Sequence, residues 1–98
     1  MEISSIKEDN KLTIALTGKL DTVTAPDLDK EIDENIDGVT ELVIDFSQLE
    51  YISSAGLRAL LKAKKIMLNQ GSMIVTGCNE TVLEIFEVTG FKNVLDIQ

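Results

Sequence analysis

At 98 residues, 44% hydrophobic and 27% charged, the chain has the composition of one soluble globular domain, and no apolar run approaches the roughly 18 residues that span a bilayer. It contains no histidine and a single cysteine, Cys78, which removes Ser-His and Cys-His catalytic pairs, an internal disulfide and most metal sites. A formal net charge of −8 opposes binding to a nucleic-acid backbone and favours protein partners, and the acidic opening MEISSIKEDN lacks an apolar signal segment, so a cytoplasmic location is expected.

Ile3 and Ile6 mark a weakly patterned first strand, and Asp9-Asn10 supplies turn chemistry. Leu12, Ile14 and Leu16 then alternate with Lys11, Thr13, Ala15 and Thr17 as a half-exposed strand that forms a hairpin with the first and ends at Gly18. Thr24 is placed to cap a helix carrying Pro26 in its first turn, with Leu28, Ile32 and Ile36 as the buried stripe and Asp37-Gly38 as its close. Leu42, Val43 and Ile44 form a short apolar run ending at Asp45, the pattern of a strand buried on both faces.

A short loop leads from that strand to Ser53-Ser54, where the period changes. Leu57, Leu60, Leu61 and Leu68 recur at helical spacing, with Arg58, Lys62, Lys65 and Asn69 opposite them, and Gly71 supplies the stop. Four of the nine basic residues, Arg58, Lys62, Lys64 and Lys65, fall in this helix, as a solvated face or a meeting place for an acidic partner. Ser72 to Thr76 is an apolar strand, and Asn79 caps a third helix through Val82, Leu83, Ile85 and Phe86 that ends at Gly90. Val94, Leu95 and Ile97 add a short fifth strand. Cys78, beside an apolar strand, reads as a small buried residue, while Met67 and Phe91 suit either the core or an interface, and oligomeric state is not set by the sequence.

The order β-β-α-β-α-β-α-β predicts a single α/β domain over residues 1–98, with a mixed four- to five-stranded sheet and helices packed against it. Functional groups in such sheets gather beyond the carboxyl ends of parallel strands. Asp21 follows one such end, and Asp45 with the Ser53-Ser54 loop follows another, so Asp21 and Ser54 share a rim if those strands are neighbours. A hydroxyl at the start of the central helix has two uses. It can cap an orphan N–H of the first turn, or it can carry a phosphate that the electropositive helix start would house, with Gly56 letting a partner's backbone approach. The residues alone leave both open. A G-x-S-x-G elbow and a G-x-x-x-x-G-K-S/T phosphate loop are missing, and nothing splits Asp21 and Asp45 into acid and base, so a small enzyme is disfavoured and no cofactor or metal is expected.

Three stretches carry a family resemblance: GKLD at Gly18 to Asp21, LVIDFSQLEYISSAGLRALL at Leu42 to Leu61, and GSMIVTGCNETVLEIFEVTGFKNVLDI at Gly71 to Ile97. Together they resemble the STAS domain, specifically the bacterial anti-sigma factor antagonists, over nearly the whole chain. The resemblance implies a non-enzymatic module switched by phosphorylation. An anti-sigma factor that is also a serine kinase phosphorylates the antagonist, a phosphatase acting on phosphoserine reverses it, and only the unphosphorylated form binds the anti-sigma factor and frees the sigma factor. Alignment on Gly56 places the phosphoacceptor at Ser54, puts Ser53 where many members have aspartate, and makes Asp21 the aspartate near the acceptor. Ser53, Ala55, Gly56 and Arg58 complete the loop and its partner surface, with Arg58 one helical turn beyond Ser54 and within pairing reach of a phosphate there. The resemblance also admits a STAS scaffold or an accessory subunit of a membrane transport complex that needs no serine phosphorylation. Neither role calls for direct contact with nucleic acid or for insertion into a membrane.

Overall fold

A computed structural model describes residues 1–98. The elements run β1 (Glu2–Glu8), β2 (Lys11–Leu20), α1 (Ala25–Asn35), β3 (Glu41–Ile52), α2 (Ser54–Leu68), β4 (Ser72–Thr76), α3 (Glu80–Thr89), a 3-10 turn (Phe91–Asn93) and β5 (Asp96–Ile97). Chain order is also the spatial order in the five-stranded sheet. β1 pairs antiparallel with β2 through a turn in which Asp9 takes φ 54°, and all later neighbours are parallel. Three crossovers therefore step the same way across the sheet. Because such crossovers are right-handed, all three helices fall on one face.

Burial follows that geometry. Leu12, Ile14 and Leu16 of β2, Leu42, Ile44 and Phe46 of β3, and Met73 and Val75 of β4 are buried, and Leu42 lies level with both Leu12 and Met73 in the ladders. Leu28 and Ile32 of α1, Leu57, Leu60 and Met67 of α2, and Phe86 of α3 close over them, with Phe86 stacked on Phe46 at 6.3 Å. The opposite sheet face carries no helix. Val43 and Ile74 are only half-buried there, so the Leu42–Ile44 run, expected to be buried on both faces, is covered on one. On the helix side β1 is tied down by polar contacts: the Ser5 hydroxyl donates to Glu31 Oε2 at 2.8 Å, and Lys7 Nζ donates to the Asn35 and Asp37 carbonyls.

Two strands are longer than expected. β2 continues through Gly18, at φ 107°, to a buried Leu20. β3 does not stop at Asp45 but runs to Ile52, leaving Ser53 as the single residue before α2. Ala15 pairs with Asp45 but Thr17 with Gln48, and Gly18 pairs with Leu49 but Lys19 with Tyr51, so β3 carries one extra residue at each of two bulges. Asp45 is thus a mid-strand residue at the level where β4 ends, and its Oδ1 accepts from Ser47 N at 2.9 Å as the chain enters the first bulge. In α2 the buried stripe passes through Met67, leaving the expected core residue Leu68 at 69% exposure. Gly71 follows α2 without a positive φ; a Cβ there would lie 2.0 Å from the Thr40 carbonyl oxygen, so close approach and not helix termination requires glycine.

Candidate functional site

Leu20 and Ile52 end neighbouring parallel strands and lie level in the ladder, and the Ser53 N–H donates to the Leu20 carbonyl at 2.9 Å. The turn that begins at Asp21 and the helix that begins at Ser54 therefore stand side by side at one rim. Asp45, at the first bulge well before Ile52, is not part of it.

The two serines divide the two uses of a hydroxyl between them. Ser53 occupies the cap position with φ −98° and ψ 177°, half-buried, and its Oγ accepts from Gly56 N at 3.5 Å. Ser54 is the first helical residue, is exposed, and its hydroxyl has no hydrogen-bond partner within the protein. Gly56 is buried, and a Cβ would lie 2.7 Å from Ile52 Cγ1, 2.8 Å from Leu20 Cγ and 3.0 Å from the Leu20 oxygen. The close approach this glycine permits is thus to the chain's own strand ends, not to a partner's backbone. It lets the start of α2 sit against β2 and β3 and fixes where Ser54 points from.

Asp21 is committed to holding the other half of the rim. Its Oδ1 accepts from Val23 N at 3.0 Å and Thr24 N at 3.1 Å, while Thr24 Oγ1 accepts from Asp21 N at 2.8 Å and lies 2.8 Å from the Lys19 oxygen. This is a reciprocal capping arrangement shifted one turn early, because the first turn already closes with Ala25 N on the Asp21 carbonyl. Thr24, expected to cap α1, has helical dihedrals and makes no side-chain cap bond, since its hydroxyl faces back toward Asp21 and Lys19.

The Thr24 N–H bond foremost, with the Thr24 hydroxyl and Val23 N–H, outweighs partial desolvation and holds the Asp21 carboxyl below its ordinary value of 3.8. These donors reach the carboxylate only in the folded chain, so its pKa is lower folded than unfolded. The associated stability is complete above the ordinary value and is lost as pH falls through the lower folded one. Asp21→Ala is expected to lower the melting temperature at pH 7. Asp21→Asn, which keeps an accepting oxygen, is expected to preserve most of it and to flatten the decline below pH 4, as thermal melts across pH 2.5–7 will read. If the asparagine variant lost as much as the alanine one at pH 7, capping would not be the residue's role.

Arg58 and Ala55 line a groove of about 350 Å³ between the starts of α1 and α2, together with Thr22, Pro26, Asp29 and Lys62. Lys62 pairs with Asp33 at 3.5 Å, whereas Arg58 is exposed and has no ion-pair partner. Two exposed apolar side chains near the strand ends were not singled out from the sequence: Val23, 81% exposed within the Asp21–Thr24 turn, and Tyr51, 43% exposed next to the buried Ile52. Val23 had a signal in being the lone apolar side chain of a D-T-V-T turn; Tyr51 is marked only by the bulge, which periodicity does not reveal. Cys78 is half-buried, and burial pushes its thiol up to about 11, which favours the protonated thiol at neutral pH. No three His, Cys, Asp or Glu side chains converge to hold a metal, and no helix is long and apolar enough to cross a membrane.

Helices thus cover one face of the sheet, and its rim carries a hydroxyl-bearing helix start, the exposed Val23 and the unpaired Arg58. The chain belongs to the STAS domain family, whose sequence model matches residues 2–98. It is 34% identical, over 99% of its own length and 85% of the relative's, to BtrV of Bordetella bronchiseptica, a protein whose name assigns it provisionally to the anti-sigma factor antagonists. Its fold superposes on an anti-sigma factor antagonist from Mycobacterium paratuberculosis with a TM-score of 0.88 at 24% identity, covering 98% of this chain and 83% of that one. It also superposes on the Bacillus cell fate determinant SpoIIAA in its phosphorylated form, with a TM-score of 0.77 at 19% identity over 99% and 91% of the two chains.

Proposed function

We propose that this chain is an anti-sigma factor antagonist whose switch is phosphorylation of Ser54. In its unphosphorylated form it binds an anti-sigma factor that is also a serine kinase, freeing a sigma factor in the cytoplasm, and a phosphatase acting on phosphoserine restores that form. The observation that carries this reading is the division of labour at the helix start: Ser53 takes the cap, so the Ser54 hydroxyl stands exposed and free of any structural duty. Its kinship with anti-sigma factor antagonists, and a SpoIIAA fold that exists phosphorylated, support the same reading.

Chemically, the Ser54 hydroxyl attacks the γ-phosphorus of ATP bound to the kinase, ADP leaves, and the hydroxyl proton is released. The product adds about −1.5 to −2 of charge at the positive end of α2, where first-turn N–H groups tolerate it. A partner packed over Asp21, Val23 and Ala55 meets that charge within its contact and must desolvate it. The domain persists and the complex is lost; the chain itself acts as a binding module, not a catalyst.

Incubation with ATP and each candidate anti-sigma kinase of the same organism, followed by intact mass and peptide mapping, tests this. One added phosphate at Ser54, absent from Ser54→Ala and accompanied by weaker kinase binding, is expected. Failure of every candidate to phosphorylate it, with binding indifferent to Ser54→Ala, would leave the transport-subunit or scaffold role.

A further inference from the structure

Arg58 is the one basic residue of α2 without an evident local reason for its position. Lys62 meets Asp33, Lys64 is half-buried, and Lys65 lies in the last helical turn, where the helix dipole favours a cation. Arg58 sits near the opposite end, where the dipole disfavours positive charge, and no carboxylate lies within 4 Å of it in a chain holding 17 acidic residues. Asp29 shares its groove without pairing, and Asp21 on the facing turn is occupied by Val23 and Thr24.

Two further facts aim Arg58 at Ser54. The residues are four apart on one helix, with the hydroxyl on the N-terminal side, which is the favourable orientation for an anion and a cation at that spacing. Long helical side chains also lean back over the preceding turn, and Arg58 lines its groove beside Ala55, the residue after Ser54.

We infer that Arg58 is the intramolecular receptor for a phosphate on Ser54, its guanidinium and the phosphate closing a charge-assisted pair across one turn of α2. The inference rests on Ser54 being the modified residue. Its consequence is that phosphorylation changes the rim twice, adding a dianion and withdrawing an unpaired cation, Arg58, from any acidic side chain of the partner. Arginine suits this role better than lysine because its planar fork binds phosphate oxygens in pairs.

The test installs phosphoserine at position 54 during translation, so no kinase is needed, in the wild-type and Arg58→Gln proteins. Phosphorus NMR then follows the second ionisation of the phosphate, ordinarily near pH 6. A nearby cation favours the dianion, so the wild-type midpoint is expected about half a unit below that of Arg58→Gln, and 1 M salt is expected to narrow the gap. Helix start, Asp21, Asp29 and Lys62 are common to both proteins and cancel in the comparison. Coincident titrations from two folded proteins would overturn the inference. Because the phosphate is installed directly, that result is distinct from failure of the functional reading, which shows instead as no kinase modifying Ser54.

Discussion

Ser54→Asp is expected to weaken binding of the serine kinase that acts on this protein by about 100-fold or more while shifting the melting temperature by only a few degrees. Placing a carboxylate under a partner that normally covers a neutral hydroxyl buries a charge that must lose its water, and a penalty of about 3 kcal/mol corresponds to that factor. Stability should respond in the opposite direction. The Ser54 hydroxyl makes no bond to lose, and α2 has no acidic residue in its first turn, so an aspartate there gains about 0.3 to 1 kcal/mol from the helix dipole. Ser53→Ala is the contrast. It removes the cap, whose single bond to Gly56 N is long at 3.5 Å, and is expected to cost about 0.5 kcal/mol with far less effect on binding. Calorimetric titration beside thermal melts separates the two serines. Wild-type affinity in Ser54→Asp would remove Ser54 from the interface.

Much of the fold was legible because local chemistry and burial agree. Leu12, Ile14 and Leu16 alternate as a strand and lie on one buried face; Ser72–Thr76 is a strand as expected; and Asn79 caps α3 with its Oδ1 on Val82 N while Gly90 ends the helix at φ 81°. The second half of β3 was not legible, for a definite reason. Its inward residues run Leu42, Ile44, Phe46, Leu49, Ile52, and the two bulges stretch a spacing of two into a spacing of three, which reads as a loop. The exchange of Leu68 for Met67 has a similar origin. Leucine at 57, 60, 61 and 68 looks like a stripe, but the helix meets the sheet through Leu57, Leu60, Ala63 and Met67, and small alanines carry no hydrophobic signal of their own.

At the site, the sequence brought Asp21 and Ser54 together only on condition that their strands are neighbours, and the order of the sheet meets that condition. What each side chain does there did not follow. The sequence could not divide the cap between Ser53 and Ser54, nor show that Asp21 and not Thr24 organises the turn before α1, because both depend on where the first turn closes.

Gly71→Ala is expected to be the most damaging small substitution outside the core, at about 3 kcal/mol, lowering the melting temperature by roughly 12 to 24 °C for a domain of this size. An added Cβ would lie 2.0 Å from the Thr40 oxygen, 2.6 Å from its carbonyl carbon and 2.8 Å from its Cα, all backbone atoms. Thr40 has little room to retreat. Its N–H donates to the Asn10 carbonyl at 2.8 Å and its carbonyl accepts from Ser72 N at 2.9 Å, which ties the β1–β2 turn to the entrances of β3 and β4. Relief therefore breaks the Glu41–Ser72 register or lifts the end of α2 off the sheet. Reduced freedom of the unfolded chain returns only about 0.4 to 1 kcal/mol. Gly38→Ala isolates the mechanism: Gly38 has φ 76° but open space around its Cβ position, so it incurs only left-handed strain of about 1 to 2 kcal/mol. Urea unfolding of the three proteins decides between close approach and conformation as the demand for glycine. Equal losses at positions 71 and 38 would mean that the Thr40 segment yields. A much larger loss at 71, with kinase binding by the folded fraction intact, would place the mechanical anchor of α2 at the end opposite Ser54.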